Sequence, residues 1–335
     1  MKNMIKAICL FMGVSFLVQS CDDWTEMEAK KIQSTVGTPK TPEYYQQLRA
    51  YKQTEHTLAF GWFGFWNGGN STSARGALRS VPDSMDIVAL WGDVHWANIS
   101  KEKQEDMKYV QDVKGTKVVI TTFAHFIPIQ YYPNDTYDVM DNNIPEGVIE
   151  TYAKALNDTI QKYGYDGIDF DYEPGFGGKG PLVDKSNMEK FVREMSKYFG
   201  PASKSGKLMI IDGVPGALNP GLSELFDYGI VQAYSCYSAS DLQRRFDDAA
   251  KVGWRADQYI FTENFEAHWK TGGVNFTDVE GNTMPSLIGM AMFNPVQGKK
   301  AGFGAYHMEY EYPHNPDYKY MRMAIQLVNP AKSNN

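Results

Sequence analysis

Hydrophobic positions along this chain gather in short apolar runs that alternate with longer stretches in which apolar residues recur three and four apart. The short runs read as strands: 57-TLAFGWF-63, 85-MDIVALW-91, 117-KVVITTF-123, 166-DGIDFDYE-173, 207-KLMIID-212, 229-GIVQAYS-235, 259-YIFTENF-265 and 301-AGFGAYHM-308. Between them, 101-KEKQEDMKYVQDV-113, 146-EGVIETYAKALNDTIQKY-163, 188-MEKFVREMSKYF-199 and 241-DLQRRFDDAAKV-252 have helical spacing, and 286-SLIGMAMFNP-295 is a weaker helix candidate. Eight strands separated by crossovers over residues 55–330 predict an α/β fold, a single (β/α)8 TIM barrel. A doubly wound sheet is the runner-up. It would more often carry a Gly-rich turn for a dinucleotide after an early strand, whereas 61-GWFGFWNGGN-70 has glycines but puts bulky rings where phosphate would approach. No cofactor is expected.

The N-terminal part reads differently. Lys2 and Lys6 precede an apolar run from Ile5 to Val18 that is too short for a membrane span, so residues 1–20 are expected to be a cleaved leader. The run ends at 17-LVQSC-21, which resembles a bacterial lipobox with Cys21 as the lipidated residue. The following Asp22 and Asp23 resemble the surface-export signal of Bacteroidetes lipoproteins. Membrane attachment at the cell surface, through the lipid anchor only, is the expectation. Residues 21–54 then form a tether and a helix, 42-PEYYQQLRAYKQ-53, capped by Thr41 and lying across the bottom of the barrel.

The 335 residues are 43% hydrophobic and 22% charged, a globular balance. A net charge of −7 without Lys/Arg clusters argues against a nucleic-acid partner. Of three cysteines, Cys9 leaves with the leader and Cys21 is acylated, so Cys236 remains as an inert buried thiol and no intramolecular disulfide forms. No structural zinc site is visible, and a monomer is expected.

The chemistry concentrates in 165-YDGIDFDYEPGFGG-178, where Asp166, Asp169, Asp171 and Glu173 fall within eight residues. Like charges this close raise one another's pKa. On a strand, alternate residues share a face, so Asp169, Asp171 and Glu173 line the lumen while Ile168, Phe170 and Tyr172 pack on helices. The acids climb towards the C-terminal rim, where barrel active sites lie. A salt-bridged network or a Ca2+ or Mg2+ site is the alternative, but no basic residue sits in the cores of these strands and metal ligands usually come from several strands. No metal is expected.

The run DGIDFDYE resembles the DGxDxDxE signature of glycoside hydrolase family 18, which includes chitinases and endo-β-N-acetylglucosaminidases. In the sixth strand, 232-QAY-234 resembles the Gln-x-Tyr of the endo-β-N-acetylglucosaminidases that cut N-glycan cores, and 121-TTFAHF-126 departs from the chitinase pattern. The resemblance implies substrate-assisted catalysis, an exception to the two-carboxylate scheme of most glycosidases. In it Glu173 is the general acid and then base. Asp171 orients the 2-acetamido group and stabilises the oxazolinium ion, and Asp169 shares a proton with Asp171. Tyr234 and Gln232 hold the acetamido group. The implied substrate is an N-glycan or another GlcNAc-containing oligosaccharide, cut between the two core GlcNAc residues. A chitinase-like hydrolase and a non-catalytic glycan-binding protein are the alternatives.

Around the rim, Trp62, Phe63, Trp66, Trp91, Trp96, Tyr237, His268, Trp269 and Tyr306 are candidates to line a sugar groove. A core position is the equal alternative for each ring, and Trp66 and Trp269, beside glycines, are expected to be the exposed ones. Glu263 and Asn264 bind sugar hydroxyls, or else cap a helix or brace a loop. His307 and Glu309 have the same status, and Asp212 is a further substrate-binding candidate.

Overall fold

The structure is a computed structural model that describes residues 40–330, apart from 70–72, 93–95 and 177. The leader, Cys21 and most of the tether lie outside the described residues.

Eight parallel strands close on themselves. They are β1 (Leu58–Phe63), β2 (Ile87–Leu90), β3 (Lys117–Phe123), β4 (Gly167–Tyr172), β5 (Leu208–Gly213), β6 (Tyr228–Gln232), β7 (Tyr259–Asn264) and β10 (Gly302–Tyr306). Their order around the ring is β1-β10-β7-β6-β5-β4-β3-β2, so each strand pairs with its sequence neighbour and β10 returns to β1. The extra pair, β8 (Asn275–Thr277) and β9 (Thr283–Pro285), is an antiparallel hairpin inserted after β7. It was not expected from the sequence: each strand is three residues long, below the length at which alternation is visible.

Strand parity sorts the two cores. Phe60, Ile87, Val119, Ile210, Ile230 and Ile260 fill the lumen as one cluster. The residues of opposite parity on the same strands, such as Phe63, Ile120, Ile168, Phe170 and Phe261, join the larger shell between sheet and helices. The helix Val148–Tyr163 turns Ile149, Tyr152, Ala153, Leu156 and Ile160 inward at three- and four-residue spacing, as its sequence pattern dictates. The helices Lys185–Met195 and Ala239–Ala250 begin two or three residues before the predicted stretches, because Asp184 and Ser238 cap them.

Pro42–Lys52 begins with Thr41 accepting from the Tyr44 amide and has proline in its first turn. Arg49 donates to the Val113 carbonyl, and Lys52 to Met85 O and Thr116 Oγ1, at the N-terminal ends of β2 and β3. The helix therefore lies against the barrel floor and leaves the opposite rim to the active site. Among the described residues no helix is long and apolar enough to cross a membrane. Cys236 is buried, and burial pushes its thiol up to about 12.

Candidate active site

β4 places its acids as its alternation requires. Asp169 is fully buried in the lumen, Asp171 is 5% exposed above it, and Glu173, just past the strand end, is half-buried at the rim. Asp212 joins them from β5, where it stands in register with Asp171 and is 1% exposed. The substrate-binding role considered for Asp212 from sequence is thus replaced by membership of a buried carboxyl cluster.

Asp169 Oδ2 accepts two hydrogen bonds, from Trp62 Nε1 at 2.8 Å and Thr121 Oγ1 at 2.9 Å. Asp212 Oδ1 accepts from Gln232 Nε2 at 2.9 Å. The other oxygens, Asp169 Oδ1, Asp171 Oδ1 and Asp212 Oδ2, are buried without a donor. Asp169 and Asp212 lie within hydrogen-bonding reach of each other, so a proton between them satisfies two of these oxygens. Burial drives all three pKa values up. Asp169 rises to about 6, with Trp62 and Thr121 pulling it back. Asp171 rises to about 8, with the charges of Glu173 and Asp169 adding to burial. Asp212 rises well above the usual carboxylate range through burial and the charges of Asp169 and Asp171. The cluster is a store of protons directly under the rim.

Glu173 has no hydrogen bond or ion pair on its carboxylate among the described residues. Its backbone N–H donates to His125 Nε2 at 3.4 Å, and burial lowers the pKa of that imidazole, keeping it neutral and accepting. Sequence reading passed over His125 because its partner lies on another strand. Tyr234 stacks on Tyr306, with ring centroids 5.9 Å apart, and burial plus the Asp212 and Asp171 charges hold its phenol protonated, a donor.

Two open clefts border these residues, Asp171 lining one and Glu173 the other. One, of about 610 Å3, is walled by Trp91, Phe123 and His307 and reaches Thr121 and Asp171. The other, of about 800 Å3, runs from Glu173 and Phe176 past Gly213 to Gln232 and Tyr234, and continues to Val231, Arg245 and Tyr259 on the shell side of the sheet.

Several rim candidates are corrected. Trp62 is a buried lumen residue whose indole holds Asp169, because its parity on β1 points it inward. Trp66 is 3% exposed and not the projecting ring expected beside Asn67 and Gly68. Its indole donates to buried Asp106, and it contributes only an edge to the cleft wall. Trp269 is half-buried and packs on His314, with ring centroids 5.1 Å apart, outside both clefts. Glu263 is fully buried with outward parity. It accepts from the Ser235 amide at 2.8 Å, the Asn264 amide at 2.6 Å and the Ser286 hydroxyl, so it braces loops and meets no sugar. Asn264 caps the short helix Phe265–His268 through Ala267 N at 3.2 Å. His268 bonds Ser235 Oγ at 3.0 Å. Tyr237 projects from the rim, 65% exposed, and Trp91 is half-buried in the first cleft. No group of His, Cys, Asp or Glu among the described residues is arranged to hold a metal ion.

Comparison with known proteins agrees with this geometry. The family model for glycoside hydrolase family 18, BT1044-like, matches residues 25–327. Endo-beta-N-acetylglucosaminidase F2 of Elizabethkingia meningoseptica is 24% identical over 98% of this chain and 99% of its own. The solved structure of BT1044, a selenomethionine glutamate-to-glutamine variant, is 32% identical and superposes with a TM-score of 0.77 over 88% of this chain and 94% of that one. An endo-beta-N-acetylglucosaminidase of Cordyceps militaris in its apo form, 22% identical, shares the fold with a TM-score of 0.64 over 88% of this chain and 99% of its own. With its acids in a lumen column beneath an open rim, the chain belongs to glycoside hydrolase family 18, in the BT1044-like group.

Proposed function

We propose that this hydrolase is an endo-β-N-acetylglucosaminidase that cleaves between the two core GlcNAc residues of N-glycans with retention, through an oxazolinium ion. The observation that carries the reading is that Asp171 and Glu173, two residues apart at the rim, each line an open cleft, since an endo-acting enzyme must hold sugar on both sides of the bond it breaks. Glu173, unpaired and half-solvated, protonates the leaving oxygen and then deprotonates water. Asp171 starts protonated, as its raised pKa favours, and ionises as positive charge grows on the cyclising acetamido group. Asp169 and Asp212 take up the displaced proton. Tyr234 donates to the acetamido carbonyl, and Gln232 leaves Asp212 to help hold the same group. The E. meningoseptica and C. militaris relatives carry the name of this activity and support it.

The reading also places the enzyme at the outer membrane through Cys21; loss of fatty-acid labelling in Cys21→Ser checks that part. The activity is tested by mass spectrometry of glycans released from high-mannose, hybrid and complex N-glycoproteins, with NMR of the first anomer formed. Wild type is expected to release glycan as the β-anomer, and Glu173→Gln to lose ~10²–10⁴ in kcat. Turnover of chito-oligosaccharides without glycoprotein release would move the assignment to a chitinase-like hydrolase.

A further inference from the structure

The wall of the first cleft holds a buried polar pair that the carboxyl column does not use. His307, 5% exposed, brings Nδ1 to 2.6 Å from Oε1 of Glu309, which is fully buried. The pair is held at visible cost. His307 sits in the left-handed backbone region at φ 52°, which side chains other than glycine seldom adopt. Glu309 Oε2 is buried without a donor. A Cβ at Gly64 would lie 2.8 Å from His307 Cε1 and 2.9 Å from Glu309 Oε1, so the pair fits only beside a glycine.

The ring is also fixed in angle. It stacks on Phe65 with centroids 5.8 Å apart, lies 4.7 Å from Tyr310, and meets the edge of Trp91 at 5.3 Å. The Nδ1–Glu309 contact leaves Nε2 as the ring nitrogen free for the cleft, and in the tautomer that donates from Nδ1 it is Nε2 that carries the lone pair. Nε2 has no partner among the described residues, yet the ring lines a cleft that reaches Asp171. A nearly buried acceptor facing an open cleft suits a ligand rich in hydroxyls.

We propose that His307, oriented by Glu309, is a specificity-determining residue that accepts a hydrogen bond from a sugar hydroxyl in the Trp91 arm of the cleft. The inference rests on the reading of the cleft as a glycan site. A saccharide lacking a hydroxyl at that point leaves the acceptor unpaired and is rejected more strongly than a lost contact alone would require.

The test titrates the Glu173→Gln protein calorimetrically with high-mannose, hybrid and complex N-glycopeptides, alone and combined with His307→Ala, His307→Gln or Glu309→Gln. His307→Ala is expected to weaken binding of the preferred glycopeptide ~10-fold or more. His307→Gln, whose amide oxygen reaches a similar point, regains part of the loss, and Glu309→Gln falls between. In the active enzyme, His307→Ala raises KM while kcat stays within about threefold, a split that damage to the fold alone would not produce. Equal affinity with and without His307, or no binding of any glycopeptide, overturns the proposal. Wild type that binds these glycopeptides but never cleaves them overturns the proposed activity and leaves the His307 comparison standing.

Discussion

The Trp62 indole crosses the lumen from β1 to donate its N–H to Asp169 Oδ2 at 2.8 Å on β4. The deepest acid of the column is therefore held from a strand more than 100 positions earlier in the sequence, and Thr121 on β3 shares the same oxygen. These two donors oppose the upward pull of burial on Asp169. Trp62→Phe keeps a ring in the lumen and removes one donor. The Asp169 pKa is expected to rise above about 6, kcat to fall ~10-fold, and stability to drop by ~1–3 kcal/mol from the lost bond and the void. A kcat–pH profile and urea denaturation check it. An unchanged profile would show that the indole serves only as packing.

The carboxyl cluster makes stability depend on pH with a definite sign. Asp169, Asp171 and Asp212 all have folded pKa values above the unfolded value of 3.8, so between about pH 4 and 8 the folded state holds protons that the unfolded chain has released. Stability is then greatest near the acid end of this window and declines as pH rises through it. Asp212→Asn removes one titrating site and supplies an amide that can donate to Asp169. The variant is expected to exceed wild type at pH 8 by about 1 kcal/mol or more, to lose that advantage at pH 4, and to turn over more slowly. Urea titrations at the two pH values decide it; a variant weaker than wild type at pH 8 refutes the shared-proton account.

Much of this site was legible because a strand alternates. Once DGIDFDYE is read as a barrel strand, parity alone sends Asp169, Asp171 and Glu173 to the lumen and Ile168, Phe170 and Tyr172 to the shell. The same rule, carried to β7, would have turned Glu263 outward, since Ile260 lies in the lumen cluster and Phe261 in the shell. What parity does not supply is which residues meet across the lumen or over the rim. The Trp62–Asp169 and His125–Glu173 contacts depend on strand stagger and loop path, and neither leaves a mark in local spacing. Glycine neighbours likewise misjudged Trp66, whose burial is decided by Asp106 on a distant helix.

That helix allows a structural tryptophan to be separated from a binding one. Asp106 accepts from Trp66 Nε1, the Leu78 and Arg79 amides and Arg79 Nε, all between 2.7 and 3.1 Å. Asp106→Ala strips four donors of their acceptor and is expected to cost ~3–5 kcal/mol of stability while the folded fraction keeps its kcat. Trp91 stands half-buried in the cleft with its ring against Tyr306 and His307. Trp91→Ala is expected to raise KM ~10-fold with a much smaller loss of stability. Denaturation curves paired with steady-state kinetics separate the two, and a kcat loss in folded Asp106→Ala would join the two tryptophans in one role.

The loop after Glu173 offers a sharper test of how the acid is held. Pro174 bridges to Gly178, which brings Gly178 against His125, and a Cβ there would lie 2.4 Å from His125 Nε2. That nitrogen accepts the Glu173 backbone N–H. Gly178→Ala must push the imidazole aside or lift the loop, and either movement releases the backbone that carries the acid. The expected result is a kcat ~10–100-fold lower with little change in KM, because a displaced acid costs more in the transition state than in substrate binding. His125→Ala removes the ring and with it the clash, so the double variant Gly178→Ala/His125→Ala should be more active than Gly178→Ala alone despite carrying one more lesion. A double variant whose losses simply add would mean that the loop and the imidazole act independently, and that Glu173 is held in place by something other than this contact.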